Sequence, residues 1–500
     1  MTMDTVMFTK NFIIYTSLGI AGAASTLSAQ SSFNVVYILA DDMGYGDLSC
    51  YNASSKISTP TLDALAASGM IFTDAHSNSA VSTPTRYGTL TGCYSFRSPM
   101  KKGVLTGYSA PLIEKNQETV ASLLQRNGYQ TACIGKWHLG LNWTKKDQSK
   151  PLFTGSEWDL GDTSNIDYTA PISGGPTDCG FDYSYILPAS LDMSPYVYIE
   201  NGHITAPVTR FAKDYKEEGV RGAHYRHGDL AEDFHHDECL FQFTQKSVDY
   251  ILDASKQEKP YFLYCALTAP HSPWMVSEEF KGRSQAGVYG DFVCMVDEAV
   301  RRLCEAVEKS GEADRTIIIF TTDNGAMWQA ADIAETGHYA NGGWSGAKSD
   351  LWEGGHRVPL IASCPGVIPQ NTKSDALVSS VDLFATLAEM NQFTIPEGAA
   401  KDSYSYWQVL SGKQTDINHS SRTSLVYHSD SGKLALRKGE WVLLDCKGSG
   451  GWSLPENDAD PNVTVQLYNL KTDRAQKKNV ASLYPEKVKE LKAELDLLRE

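Results

Sequence analysis

The sequence predicts an α/β protein: a doubly wound, mostly parallel sheet with helices on both faces, followed by a smaller C-terminal antiparallel sheet that carries a helix. Three observations lead there. Short, nearly unbroken apolar and β-branched runs recur at 34–40, 130–135, 260–267, 315–322 and 358–364, the pattern of strands buried on both faces. Helical periodicities separate these runs, so the strands are joined by crossovers rather than hairpins. From about residue 400 the texture changes to short strand-like pieces interleaved with turn clusters.

Each element has a local cause. A helix over 59–70 starts at Thr59-Pro60, since proline suits a first helical turn, and a second follows a helical period over 118–126. Residues 239–254 and 291–308 are amphipathic and lie on either side of the run at 260–267; residues 375–390 are amphipathic after the run at 358–364. Beyond residue 400, strands are predicted at 424–428, 433–438, 440–445 and 465–469, with a loop at 447–461. After Pro485 a last helix places Val488, Leu491, Leu495 and Leu498 on one face. The expected division is 1–29, 30–400 for the main α/β domain, and 401–500 for a C-terminal α+β subdomain.

The first of these segments reads as an export signal: Lys10, an apolar stretch over 12–24 too short to span a bilayer, then small residues Ser25, Ser28 and Ala29. No later stretch is long and apolar enough to cross a membrane. The ten cysteines form no C-x-x-C pair and no His/Cys zinc spacing. With 44 Lys+Arg against 60 Asp+Glu, the formal charge of −16 argues against nucleic acid as a partner, because that affinity comes from phosphates neutralised by Lys and Arg. Any anionic ligand must be held by a local basic cluster.

Two carboxylate-rich pairs fall at predicted strand ends. Asp41-Asp42 follows the first run, and Asp323-Asn324 follows the fourth. Adjacent carboxylates repel unless a cation or hydrogen bonds compensate. A lone Asp-Asp pair is usually a solvated turn, but two such pairs at one sheet edge suit calcium or magnesium, and the absence of histidine in either pair disfavours zinc. Ser82-Thr83-Pro84-Thr85-Arg86 places a serine at a helix N-terminus, where backbone N–H groups favour an anion, with Arg86 one turn on along the same face. By itself Ser82 would be an ordinary N-cap, and a serine hydroxyl is a weak nucleophile without activation.

Ser-x-Pro-x-Arg-x-x-x-Leu-Thr-Gly at 82–92 resembles the signature of the type I, formylglycine-dependent sulfatases of the alkaline phosphatase-like superfamily, in its serine form, with Thr85 a mild departure. Further blocks in family order extend the resemblance: Gly135-Lys136-Trp137-His138-Leu139-Gly140, Ala269-Pro270-His271-Ser272-Pro273, Asp323-Asn324-Gly325, Gly346-Ala347-Lys348, Trp352-Glu353-Gly354-Gly355-His356-Arg357-Val358-Pro359 and Leu467-Tyr468-Asn469-Leu470. The resemblance implies one calcium ion held by Asp41, Asp42, Asp323, Asn324 and an oxygen of residue 82. It implies that Ser82 is oxidised to formylglycine (3-oxoalanine), whose hydrate attacks sulfur. It implies His138 as the base that releases sulfate, His271 as the acid toward the leaving oxygen, Lys136 and Lys348 as sulfate contacts, and Arg86 as the residue that holds position 82 and the ligand carboxylates. The serine form further implies an anaerobic sulfatase-maturing enzyme as partner and a bacterial periplasmic or outer-surface location.

The substrate is expected to be a sulfated saccharide, resembling those of bacterial sulfatases for galactose or N-acetylgalactosamine sulfates of mucin, glycosaminoglycans or galactans. Candidate recognition residues are Asp192, Arg221, His227 and Trp344, drawn from polar or aromatic loop segments. The competing readings are a phosphate or phosphonate ester hydrolase of the same superfold and a catalytically silent glycan-binding homologue.

Overall fold

A computed structural model describes residues 32–414, 416–453 and 463–500. The expected export segment 1–29 lies outside the described residues, as does the second half of the loop predicted at 447–461. The strands of the large sheet are, in chain order, β1 (Asn34–Ala40), β2 (Met70–Phe72), β3 (Gln130–Lys136), β4 (Tyr183–Leu187), β5 (Ile199–Glu200), β6 (His203–Ile204), β7 (Tyr261–Ala266), β8 (Thr316–Thr322), β9 (Leu360–Ser363) and β10 (Thr372–Ser374). They lie side by side in the order β10-β2-β9-β8-β1-β7-β3-β4-β5-β6. The middle of the sheet, β8-β1-β7-β3-β4, is entirely parallel. Every residue of β1, β7 and β8 is buried, as strands covered on both faces require.

The sheet is mixed at its edges. β9 runs antiparallel to β8 and to β2, and β5 and β6 extend the other edge as a hairpin. Apolar composition reports that a strand is covered on both faces but not which way it runs, so the run at 358–364 gave no sign of this reversal. The helix expected over 59–70 stops at Ala67 and the chain turns at Ser68-Gly69 into β2, because Met70, Ile71 and Phe72 find a place between β9 and β10.

The helices α1 (Pro60–Ala67), α2 (Ser82–Thr91), α3 (Val120–Arg126), α4 (Cys239–Ala254), α5 (Gly287–Lys309) and α6 (Leu383–Asn391) form two packed groups. α1 and α4 pack on α5, while α2 and α3 pack on α6. Local signals account for their starts: Pro60 begins α1, and a Thr119–Ser122 capping box satisfies the first turn of α3.

The C-terminal sheet is an antiparallel meander of β11 (Ser424–His428), β12 (Leu434–Lys438), β13 (Trp441–Leu444) and β14 (Gln466–Asn469). Helix α7 (Pro485–Arg499) buries Leu491 and Leu495 completely, each contributing about 1.5–3 kcal/mol relative to exposure. This second apolar core is completed by Tyr94, Leu351 and Val381 from the larger part of the chain. A buried ion pair reinforces the same junction. Arg422, just before β11, forks onto Asp382 at the head of α6, with Nε–Oδ2 at 2.9 Å, and donates to the Asp402 carbonyl at 2.6 Å and the Tyr94 hydroxyl at 3.0 Å. Asp382→Ala strands this guanidinium, so equilibrium denaturation is expected to show a loss of about 3–5 kcal/mol; a loss under 1 kcal/mol would refute the role.

Candidate active site

The adjacent parallel strands β8, β1, β7 and β3 end at one sheet edge, and each delivers functional side chains just past its last residue. Ala40 of β1 faces Thr322 of β8, so Asp41-Asp42 emerges beside Asp323-Asn324, and the Asp42 amide donates to Asp323 Oδ1 at 3.2 Å. The Asp41 amide donates to the Ala269 carbonyl at 3.0 Å, which fastens the end of β1 to the segment carrying His271 beyond β7. Lys136 is the last residue of β3, with His138 two positions on. Gly135 has φ 114° and lies so close to β7 that a Cβ there would stand 1.8 Å from the Ala266 carbonyl oxygen; only glycine allows Lys136 this approach.

Ser82 begins α2, which is buried along its whole length. Its Oγ lies 3.4 Å from Asp41 Oδ1 and accepts from Lys136 Nζ at 3.2 Å, while Lys136 also pairs with Asp41 Oδ2 at 2.7 Å. One turn along, the Arg86 guanidinium reaches Asp323 Oδ2 at 2.8 Å and Asp41 Oδ1 at 3.5 Å, and donates to the Lys136 carbonyl at 3.1 Å. Lys348 Nζ pairs with Asp42 Oδ2 at 2.8 Å, and Asn324 Nδ2 donates to Asp42 Oδ1 at 2.7 Å.

Three buried carboxylates thus face three buried cations. Burial pushes the Asp41 carboxyl up, but Lys136, His271 and Arg86 outweigh it and hold the group below the usual carboxylate range. Asp42 behaves alike: burial raises it, and Lys348 and His271 more than offset that. Burial depresses Lys136 by more than Asp41 restores, whereas for Lys348 the pull of Asp42 and Asp41 exceeds the burial effect and raises it. The donor set also suits a hard cation. Asp41, Asp42 and Asp323 are carboxylates from two strand ends, and Asn324 Oδ1 beside them is buried with no hydrogen-bond partner, an oxygen left for a metal.

The two histidines differ in tautomer. His138 has φ 56°, and its Nε2 is 2.7 Å from the Leu105 carbonyl, so that nitrogen carries the hydrogen and the buried, unpartnered Nδ1 is a free base. Burial, then the neighbouring Lys136, holds its imidazole well below the usual range. His271 is pinned the other way round: Nδ1 lies 2.6 Å from the Ser272 carbonyl, and Nε2 lies 3.4 Å from the Ser190 hydroxyl and 3.8 Å from Asp42 Oδ2.

Asp42, Ser82, His138, His271 and Lys348 line one cavity of about 550 Å³. Asp192 and Arg221 line it too. Asp192 pairs with Arg226 at 3.2 Å and keeps a buried Oδ1 unpartnered, whereas Arg221 is committed to Asp332 at 2.8 Å and lies over the Trp274 ring. Two other candidates are not brought to this cavity. His227 sits on an exposed hairpin against Asp214, and Trp344 lines a different cavity, with the guanidinium groups of Arg357 and Arg474 at 4.7 and 5.0 Å from its ring centroid. The aromatic walls are instead Trp158, Trp274 and Trp452. Sequence reading missed them because they come from three unrelated loops; the only signal was Trp274 directly after the block at 269–273.

A parallel α/β sheet whose strand ends surround a helix-N-terminal serine with carboxylates and fixed cations is the frame of a hydrolase for anionic esters. The chain belongs to the sulfatase family, whose pattern, described as Sulfatase, matches residues 33–391. It is a sulfuric ester hydrolase. It is 32% identical over 506 residues to an N-acetylgalactosamine-6-O-sulfatase of Bacteroides thetaiotaomicron, covering 93% of each chain, and 31% identical to human arylsulfatase A, covering 95% of this chain and 89% of that one. A solved structure from work on the metabolism of multiple glycosaminoglycans by Bacteroides thetaiotaomicron superposes with a TM-score of 0.79 at 30% identity, covering 94% of this chain and 99% of the other.

Arg86→Lys removes the fork that spans Asp323 and Asp41 and leaves a hydrogen-bond position empty. Denaturant titration should show a loss of about 1.5–3 kcal/mol, and wild-type stability would contradict the role given to the guanidinium.

Proposed function

We propose that the chain is an exported bacterial carbohydrate sulfatase acting on galactose or N-acetylgalactosamine sulfates of mucin, glycosaminoglycans or galactans, through formylglycine at position 82 and one calcium ion. The observation that carries this reading is the position of Ser82 Oγ, beside Asp41 and Lys136 in a cavity also lined by His138, His271 and Lys348. The 6-O ester is favoured by the name of the N-acetylgalactosamine-6-O-sulfatase relative. The proposed organisation is a leader at 1–29 directing the chain to the periplasm or outer surface, a catalytic domain at 30–400 and a C-terminal subdomain at 401–500. No described helix is long and apolar enough to cross a membrane.

An anaerobic sulfatase-maturing enzyme would oxidise Ser82 to formylglycine, whose hydrate supplies one hydroxyl to attack sulfur and a second to expel the bound sulfate. Calcium held by Asp41, Asp42, Asp323 and Asn324 would neutralise charge on the sulfate oxygens and favour the ionised form of the attacking hydroxyl. The remaining work falls to side chains. Lys136 and Lys348 are point charges for the sulfate oxygens, and Arg86 orients residue 82 and the carboxylates. His138, with its Nε2 hydrogen fixed on Leu105, offers Nδ1 as the proton acceptor when sulfate departs. His271, with Nδ1 fixed on Ser272, turns Nε2 toward Ser190 and Asp42 of the cavity wall and delivers a proton to the leaving sugar oxygen. The unpartnered Asp192 Oδ1 is an acceptor for a sugar hydroxyl, and the tryptophan walls suit the apolar faces of a pyranose ring.

A phosphate ester hydrolase of the same superfold would favour two metals, and of the two metal-capable groups among the described residues only Asp41, Asp42 and His271 belongs to this site, the other being His76, Glu353 and His356. Faster turnover of phosphate than of sulfate esters by the matured chain would overturn the sulfate reading. After co-expression with the maturing enzyme, the peptide containing residue 82 should be lighter by the mass of H2, and Ser82→Ala should abolish turnover with an unchanged circular dichroism spectrum. A silent homologue would show neither. His271→Ala should slow hydrolysis of a sugar sulfate by about 10²–10⁴-fold and that of an activated aryl sulfate far less; equal losses would remove His271 from the acid role.

A further inference from the structure

A second group of metal-ligating side chains lies outside the sulfate site. His76 is on the two-residue strand Ala75–His76, and Glu353 and His356 begin and end the helical turn Glu353–His356. All three are buried, and one donor atom from each falls within 4.8 Å of the others.

The hydrogens on the two imidazoles are assigned by their outer partners. His356 Nε2 lies 2.9 Å from the Leu351 carbonyl, which only accepts, so its hydrogen is on Nε2. His76 Nε2 lies 2.8 Å from Asp74 Oδ1, and Asp74 is ionised by two arginines, Arg357 at 2.8 Å and Arg437 at 3.0 Å, so this hydrogen is on Nε2 as well. With both rings neutral, the two Nδ1 lone pairs then face each other at 3.1 Å with no hydrogen between them. Beside them Glu353 has Oε2 bound by Arg357 at 2.5 Å and a buried Oε1 without any partner. Two facing lone pairs and an unpartnered carboxylate oxygen in one dry place are costly unless a cation lies between them.

We propose that His76 Nδ1, His356 Nδ1 and Glu353 Oε1 bind one zinc ion, with water as the fourth ligand. Metal-bound histidines donate their other ring N–H to a carboxylate or a backbone carbonyl, and here His76 does the first and His356 the second. Nitrogen ligands of a tetrahedral zinc at about 2.0–2.1 Å stand about 3.3 Å from each other, close to the observed spacing. Two imidazoles and one carboxylate suit zinc better than calcium. Arg357 and Arg437 oppose a cation, but each is paired with Asp74, which offsets their charge.

The ion would be structural and would act on the sulfate site through the chain. Ser77 donates its amide to the His356 carbonyl at 2.9 Å, and Tyr427 of β11 stacks on the His356 ring at 3.7 Å. One zinc would therefore fasten the segment leading into Ser82, the segment following Lys348 and the first strand of the C-terminal sheet.

The test is the metal content of the full chain, expressed with zinc in the medium, dialysed and measured by inductively coupled plasma mass spectrometry. About one zinc per chain is expected, falling at least tenfold in His76→Gln and in His356→Gln with calcium content unchanged. Replacing zinc by Co2+ in the native chain should give the visible absorption of a tetrahedral cobalt site, a readout that needs no variant. A native chain that carries no zinc and whose melting temperature does not respond to Zn2+ overturns the proposal and leaves a proton shared between the histidines. Zinc retained in both variants overturns it too, by placing the metal elsewhere.

Discussion

The structure depends on mutual neutralisation at one sheet edge. Asp41, Asp42 and Asp323 are buried at the ends of β1 and β8, where each unpaired charge would cost several kcal/mol. Arg86, Lys136 and Lys348 meet them from α2, the end of β3 and a loop distant in sequence. Because these partners come from separate elements, none of the elements can shift without stranding a charge. Strand order, the approach of β3 to β7 at Gly135 and the burial of α2 are therefore conditions of the site as much as of the fold.

The same cluster explains how a chain of net charge −16 serves an anionic substrate. Attraction between exposed charges is screened beyond about 8 Å at physiological ionic strength, so affinity has to come from contact. Each of the two lysines at this edge, Lys136 and Lys348, is paired with a carboxylate. Net acidity does not bear on a pocket sized for one ester.

The C-terminal sheet is more than an appendage. Its apolar core is closed by Tyr94, Leu351 and Val381, and Arg422 is locked onto Asp382. Trp452 and Asp430, from loops of this part, line the same cavity as Ser82, with the Trp452 indole donating to Asp430 at 2.9 Å. Residues beyond 400 thus contribute to the shape of the cavity, while its charged cluster comes from the strand ends of the large sheet, helix α2 and the loop carrying Lys348.

The sequence by itself determined the buried parallel strands and the family to which the chain belongs. Runs such as 34–40 and 315–322 are apolar because both faces are covered, and Asp41, Ser82, Lys136, His271 and Asp323 are legible because each sits in a short block tied to one strand end or helix start. Tertiary structure decided what depends on partners distant in sequence. The reversed direction of β9 and the place of β2 follow from neighbours that no local pattern encodes. Trp344, a sugar platform in the sequence reading, lies outside the cavity that Ser82 lines and has Arg357 and Arg474 against its ring. Asp192, already a candidate in the sequence, acquires its unpartnered Oδ1 and its place in the cavity from the fold. His76 and His356, separated by 280 positions, show no ligand spacing at all. Local periodicity and short motifs report how a residue meets its own backbone, whereas charge compensation and ring contacts depend on which groups the folded sheet brings within a few ångströms.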